Sequence, residues 1–146
     1  MAFIHKKGPA MAEPFKKVAS VAIAANSMLG FDGTGGFVRQ AVAASLRLAG
    51  VALGKVSSTS DDYADNSLIT VIVPGPNDIF EADVTGTATQ ANVGEQYDLS
   101  TNTDGTAQNV DVGATTYKVV TVVGFISSSK VLVKINGAYE YANKAN

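Results

Sequence analysis

The chain predicts an all-β fold: a small β-barrel or sandwich of short antiparallel strands, preceded by an extended N-terminal arm. Three observations predict it. Short runs rich in Val, Ile and aromatic residues recur along most of the chain, as a half-buried pleated surface requires. Several of these runs alternate. Phe80, Ala82 and Val84 fall on one face with Glu81 and Asp83 on the other, and Val131, Val133 and Ile135 oppose Leu132 and Lys134. The runs are separated by turn chemistry, including Asp32-Gly33, Asp104-Gly105 and the break Pro74-Gly75-Pro76-Asn77.

Residues 1–17 hold Gly8, Pro9 and Pro14 and show no sustained period, so they read as an arm outside the fold. Phe3 and Phe15 suggest that this arm orders against a partner, and fully extended it would reach roughly 55–60 Å. The strand candidates are residues 17–23, 27–31, 37–40, 48–56, 67–73, 79–84, 96–99, 108–112, 117–126 and 130–135. Gly33, Gly35 and Gly36 form a hairpin tip, Ser127-Ser128-Ser129 a turn, and Tyr139 and Tyr141 around Glu140 a final edge strand. One segment departs from this pattern. Residues 41–48 are alanine-rich, and Val42, Leu46 and Ala49 have helical spacing, which predicts a short helix stopped by Gly50 and Gly54.

The domain reading is therefore an arm at 1–17 and one β domain at 18–146. Inside that domain there is an echo between halves at about 18–75 and 93–137. Each half runs apolar strand, Asp-Gly turn, short strand, apolar–Gly–apolar strand, and a β run ending in Gly. The first half uses Met28–Phe31, Phe37-Val38, 49–53 and 69–75. The second uses 95–99, Asn109-Val110, 123–126 and 131–137. Duplication and the monotony of small β proteins both produce such a pattern.

With 146 residues the chain is sized for one domain, able to bury roughly 70% of its unfolded surface. Charged residues are 16% and the net charge is -2, which argues against disorder and against a global field for nucleic acid or anionic lipid. With no cysteine, disulfides, thiolate metal sites and cysteine nucleophiles are excluded. His5 is the sole histidine, which removes histidine-rich metal sites, and the lack of Trp weakens carbohydrate stacking. Lys16-Lys17 followed by the apolar run 18–25 superficially resembles a secretory signal, but the run is short and broken by Ser20. Nothing approaches the roughly 18 apolar residues that span a bilayer, so a soluble chain without membrane contact is expected. Charge is laid out in blocks. Lys6, Lys7, Lys16 and Lys17 face only Glu13 in the first 17 residues, residues 56–117 contain ten acids and no Lys or Arg, and Lys118, Lys130, Lys134 and Lys144 face only Glu140.

Asp61, Asp62 and Asp65, with Asn66, are the densest oxygen-ligand group, but they lack the order of an EF-hand loop and read as a solvated surface loop. Glu81 and Asp83 project from one strand face about 7 Å apart, a spacing within the range of paired carboxylates in glycoside hydrolysis, without an aromatic cleft to accompany it. No cofactor, metal or catalytic group is expected, and the chain reads as a non-enzyme.

The run Ala24-Ala25-Asn26-Ser27-Met28-Leu29-Gly30-Phe31, the Asp32-Gly33 hairpin, Phe37-Val38-Arg39-Gln40-Ala41, the phrase LAGVALGKV at 48–56 and Val93-Gly94-Glu95-Gln96-Tyr97-Asp98-Leu99 together resemble the tailed-bacteriophage capsid decoration (cement) proteins. The resemblance covers 18–137 and is one of strands and glycines rather than an invariant motif. It implies a structural virion protein on the outer surface of the capsid, a homotrimer that stabilises the major capsid protein lattice and makes no direct contact with nucleic acid. It also implies an arm that binds the shell, here through Phe3, His5, Lys6, Lys7, Phe15, Lys16 and Lys17. The alternatives are another virion component, such as a tail-tube or fibre-attachment protein, and a secreted adhesin or carbohydrate-binding module.

Overall fold

The period-2 runs become strands. In the computed structural model, which describes residues 3–32, 35–43, 45, 47–101, 105 and 107–136, eleven strands account for nearly all regular structure. In chain order they are β1 (Phe3–Lys7), β2 (Ala12–Lys16), β3 (Met28–Asp32), β4 (Phe37–Gln40), β5 (Leu48–Ala52), β6 (Leu68–Ile72), β7 (Ile79–Thr85), β8 (Gln96–Thr101), β9 (Gln108–Asp111), β10 (Val120–Ser127) and β11 (Lys130–Ile135). A single 3₁₀ turn, Gln90–Asn92, is the only helical element among the described residues.

The strands form two sheets. One runs β1-β7-β11-β10-β8-β9, and a further parallel pairing of β7 with β9 (Val84 opposite Val110) closes β7, β11, β10, β8 and β9 into a five-stranded barrel. The other runs β2-β6-β5-β3-β4. It curls toward closure as well, because a parallel bridge joins Lys17 to Val38 and the Val18 N–H donates to the Val38 carbonyl at 2.9 Å. Counting strands within each unit, both follow the order first-fifth-fourth-second-third, with the first and third in parallel contact. The strands quoted in the sequence echo occupy matching places: β3 with β8, β4 with β9, β5 with β10, and β6 with β11.

Each unit has an apolar core. Leu29, Val38, Ala49, Ala52, Ile69 and Val71 belong to the core of the first. The larger core contains Phe3, Phe80, Leu99, Val110, Val122 and Val133, and it also takes in Met28, Val51 and Ile72 from the first unit. Those three lie in one cross-strand row, with Met28 opposite Val51 and Val51 opposite Ile72, on the face turned away from Leu29 and Val71. The β5 residues are therefore buried on both faces, which is why β5 reads as continuously apolar rather than alternating.

The N-terminal segment differs from expectation. It is extended, but it is part of the fold. Ile4 of β1 pairs with Glu81 on β7, whereas Phe15 of β2 pairs with Ile69 on β6, so residues 3–16 strap the two units together. The physical reason is Phe3: its side chain is fully buried in the larger core, and its N–H donates to the Asn26 carbonyl at 2.8 Å. Between the two strands, Gly8 has φ +108°, and a Cβ there would lie 2.5 Å from the Asn77 carbonyl oxygen, so the crossing demands glycine.

Two other expectations are corrected. Among the described residues of 41–48 there is no helix. The Val42 N–H donates to the Ser45 hydroxyl at 3.0 Å and the Ala43 N–H to the Thr101 hydroxyl at 2.8 Å, so side chains take donors that a helix start leaves open. Ala44 and Leu46 lie outside the described residues. Residues 17–23 are not a strand either. The chain leaves β2 at Lys17 and passes through Ser20 at φ 56°. Of the turn residues, Gly105 has φ +73° between the paired β8 and β9, and a Cβ there would lie 2.5 Å from the Ala41 carbonyl oxygen. Gly33, Asp104, Tyr139 and Tyr141 lie outside the described residues.

Candidate interaction surface

The seven predicted shell-contact residues differ in burial. Phe3 and Lys17 are core residues with no accessible side-chain surface. Phe15 is half-buried and packs edge-on against Phe31, ring centroids 5.7 Å apart. Lys6, Lys7 and Lys16 are exposed on the strap. Lys6 keeps half of its side chain in solvent, 3.9 Å from Glu81. His5 is intermediate: its Nε2 lies 2.8 Å from Asp78 Oδ1, and its ring meets Phe80 edge-on at 5.3 Å.

Lys17 shows why burial of a lysine escaped the sequence. Such a side chain is almost never fully buried without partners. Here Nζ donates to the Tyr63 carbonyl at 3.2 Å and to the Asp65 carbonyl, while Asn66 Nδ2 donates to the Lys17 carbonyl at 2.9 Å. The acidic loop at 61–66 thus spends its backbone oxygens on an ammonium group of the same chain. Its Asp62 carboxylate accepts from the Ser67 hydroxyl at 3.2 Å. Among the described residues no three His, Cys, Asp or Glu side chains are grouped to hold a metal ion.

Asp78 is the polar anchor of the strap. Burial pushes its pKa up, but N–H groups of Gly75 (2.7 Å) and Ala10 (2.9 Å) and the His5 ring hold the carboxylate, and the net result lies below the ordinary carboxylate value. A Pro-Gly-Pro-Asn-Asp turn is a readable signal for such an acid, since a turn Asp commonly accepts from nearby backbone. Gln108 carried no such signal. Its amide accepts from the Met28 N–H at 2.7 Å and donates to the Met28 and Ala41 carbonyls at 2.9 and 3.0 Å, joining the second unit to the first. Asp98 likewise accepts from the N–H groups of Thr116, Tyr117 and Lys118 at 2.7–2.9 Å, fixing the entry to β10.

The Glu81–Asp83 pair is engaged by Lys130, whose Nζ is 2.9 Å from Asp83 Oδ1 and 3.6 Å from Glu81 Oε2. The lysine hydrogen bond holds the Asp83 pKa below the ordinary value, opposite in sign to what a general acid needs. An open groove of about 560 Å³ lies between residues 22–26 and 55–58, lined by Ala22, Ile23, Ala24, Ala25 and Val56 together with polar residues that include Lys55.

Exposed ammonium groups thus sit on strands that are paired into the two sheets. No family model, curated protein or solved structure matches the chain.

Proposed function

We propose that this chain is a non-enzymatic structural virion protein that binds the outside of a phage capsid and stabilises the major capsid protein lattice. The observation that carries the reading is the strap, which presents Lys6, Lys7 and Lys16 to solvent from strands belonging to two different sheets. Cations fixed on paired strands lose little conformational freedom on binding, so their attraction to an acidic shell surface is retained rather than spent on ordering an arm. A protein that binds the assembled lattice and not its separated subunits stabilises the lattice by RT ln(1 + [L]/Kd), about 2.7 kcal/mol per site at a hundredfold excess over Kd. Repeated over a shell, a modest contact becomes a large reinforcement. The contact set is Lys6, Lys7 and Lys16, with His5 at its edge. Phe3 and Lys17 act inside the fold, and Phe15 supports it.

The test is co-sedimentation of the full chain with phage heads stripped of outer proteins, followed by heating of the complexes. Wild type should bind saturably and raise the temperature at which heads break. The Lys6→Glu, Lys7→Glu, Lys16→Glu variant should bind at least tenfold more weakly. Absence of wild-type binding overturns the reading, and undiminished binding of the triple variant removes the strap from it. Deleting residues 1–17 is not a usable test, because it removes two paired strands.

A further inference from the structure

The two units differ at the outer edge of their first strand. In the first, Lys17 bridges Val38 in parallel, and in the second Val84 pairs with Val110 in the same way. Counted back from these contacts, Phe15 matches Ala82, Pro14 matches Glu81 and Glu13 matches Phe80. The cross-strand partners agree, since Phe15 pairs with Ile69 and Ala82 with Val131, the second residues of β6 and β11. In the second unit the outer edge is occupied. β1 lies along it antiparallel, with Phe3 opposite Ala82, Ile4 opposite Glu81 and Lys7 opposite Ile79. In the first unit β2 is the edge strand, and beyond the Lys17–Val38 bridge no strand among the described residues pairs with its outer side.

The direction of the main chain shows what an incoming strand meets at each edge. The Phe3 N–H points to the Asn26 carbonyl, away from β7, so Ile4 is the residue that turns its backbone groups toward Glu81. In β2 the Lys17 N–H donates to the Ser67 carbonyl and the Met11 carbonyl accepts from the Val73 N–H, both at 2.9 Å. These bonds run toward β6, so alternation turns the backbone groups of Ala12, Pro14 and Lys16 outward. Pro14 thus stands where Glu81 faces Ile4 in the ladder, and it has no N–H to give. The side chains differ in the same direction. Glu81 lies 3.9 Å from Lys6, whereas β2 has Pro14 at that place and Lys16 at the place of Asp83.

We propose that Pro14 closes the outer edge of β2 to strand addition and so reserves β1 for the second barrel. The competing arrangement is close at hand, because only Gly8, Pro9, Ala10 and Met11 separate β1 from β2. With Lys7 opposite Ala12, which matches Ile79, the chain would fold back on β2 as an antiparallel hairpin in the register it uses on β7. That hairpin would leave the two barrels without their strap. Pro14 works against it, since a carbonyl of the incoming strand that faces the proline finds no donor. Lys16 adds a smaller bias, because it brings like charge beside Lys6 and Lys7. The device operates within the chain alone, whatever the chain binds.

The test supplies the strand in trans. An end-capped, fluorescein-labelled peptide of residues 3–8 is titrated with the full chain, and its anisotropy reads binding. Wild type should bind it weakly or not at all. Pro14→Thr, which restores the N–H, should bind it about tenfold more tightly or better, and adding Lys16→Glu should tighten it further. On binding, hydrogen exchange should slow in β2 and stay unchanged in β7. If circular dichroism shows Pro14→Thr to be misfolded, Pro14→Ala takes its place. Equal affinity of wild type and variants overturns the proposal, because the proline is then no barrier. Absence of binding by every variant overturns it too, because something other than Pro14 then closes the edge. Slowed exchange in β7 in place of β2 does the same, because the peptide has then displaced β1. No shell is present, so the outcome leaves capsid binding as it stands.

Discussion

The two five-stranded units have the same strand order and solve the same closure problem differently. In the second, β7 and β9 pair in parallel at two registered positions and the interior is filled by Phe80, Leu99, Val122 and Val133, with Phe3 supplied from β1. In the first, closure rests on the Lys17–Val38 bridge, the core is built of Leu29, Val38, Ile69 and Val71 with Ala49 and Ala52, and the buried Lys17 has its ammonium capped by loop carbonyls. Topology alone does not dictate how a barrel is filled. Both units have apolar cores, but only the first also buries a lysine held by main-chain oxygens, so the two should fail differently.

The largest effect is expected at Phe3, where the strap enters the second barrel. Phe3→Ala removes a fully buried aromatic side chain and should cost about 3–5 kcal/mol, read as a lower denaturant midpoint. Because the larger core takes residues from both units, unfolding should remain one transition, seen alike by circular dichroism and tyrosine fluorescence. Two separated transitions would show that the units are energetically independent.

Lys17→Ala should cost less but act locally. It removes the ammonium group that donates to the Tyr63 and Asp65 carbonyls, a loss of about 1.5–3 kcal/mol for hydrogen bonds to a charged group, while the Tyr63 carbonyl keeps the Ser20 N–H. Hydrogen exchange should then speed up in β2, β4 and β6 while β10 and β11 keep their protection. Equal loss of protection in both units would mean that the buried lysine does not distinguish them.

This contrast also marks what could be read in advance. The all-β class and most strands were legible, because alternation and turn residues are local properties of Val-rich runs such as 130–135. The first two strands were not. β2, Ala-Glu-Pro-Phe-Lys, lies at a sheet edge with most of its side chains in solvent, so it carries no apolar period, and Pro14 argues against a strand interior. β1 hides its one buried anchor, Phe3, beside two lysines. Of the contact set, the exposed lysines were visible as charge. The burial of Lys17 was not, because its partners are main-chain oxygens 46 and 48 residues away. The helix expected at 41–48 failed through Ser45 and Thr101, whose hydroxyls accept from the backbone there.

An effect no larger than that of Lys17 is expected at Asp78, which ties His5, Gly75 and Ala10 together where the strap crosses between the barrels. Its pKa in the folded state lies below the ordinary carboxylate value of about 3.9, so the folded protein favours the ionised form more than the unfolded chain does. The stabilisation is complete above that ordinary value and is lost as pH falls through the lowered folded-state value. Asp78→Asn keeps one acceptor oxygen but offers an NH₂ group to an N–H that needs an acceptor. It should cost about 1–3 kcal/mol at neutral pH and flatten the acid limb of the stability curve. A variant with an unchanged acid limb would assign that limb to other carboxylates and leave the strap crossing held by apolar contact alone.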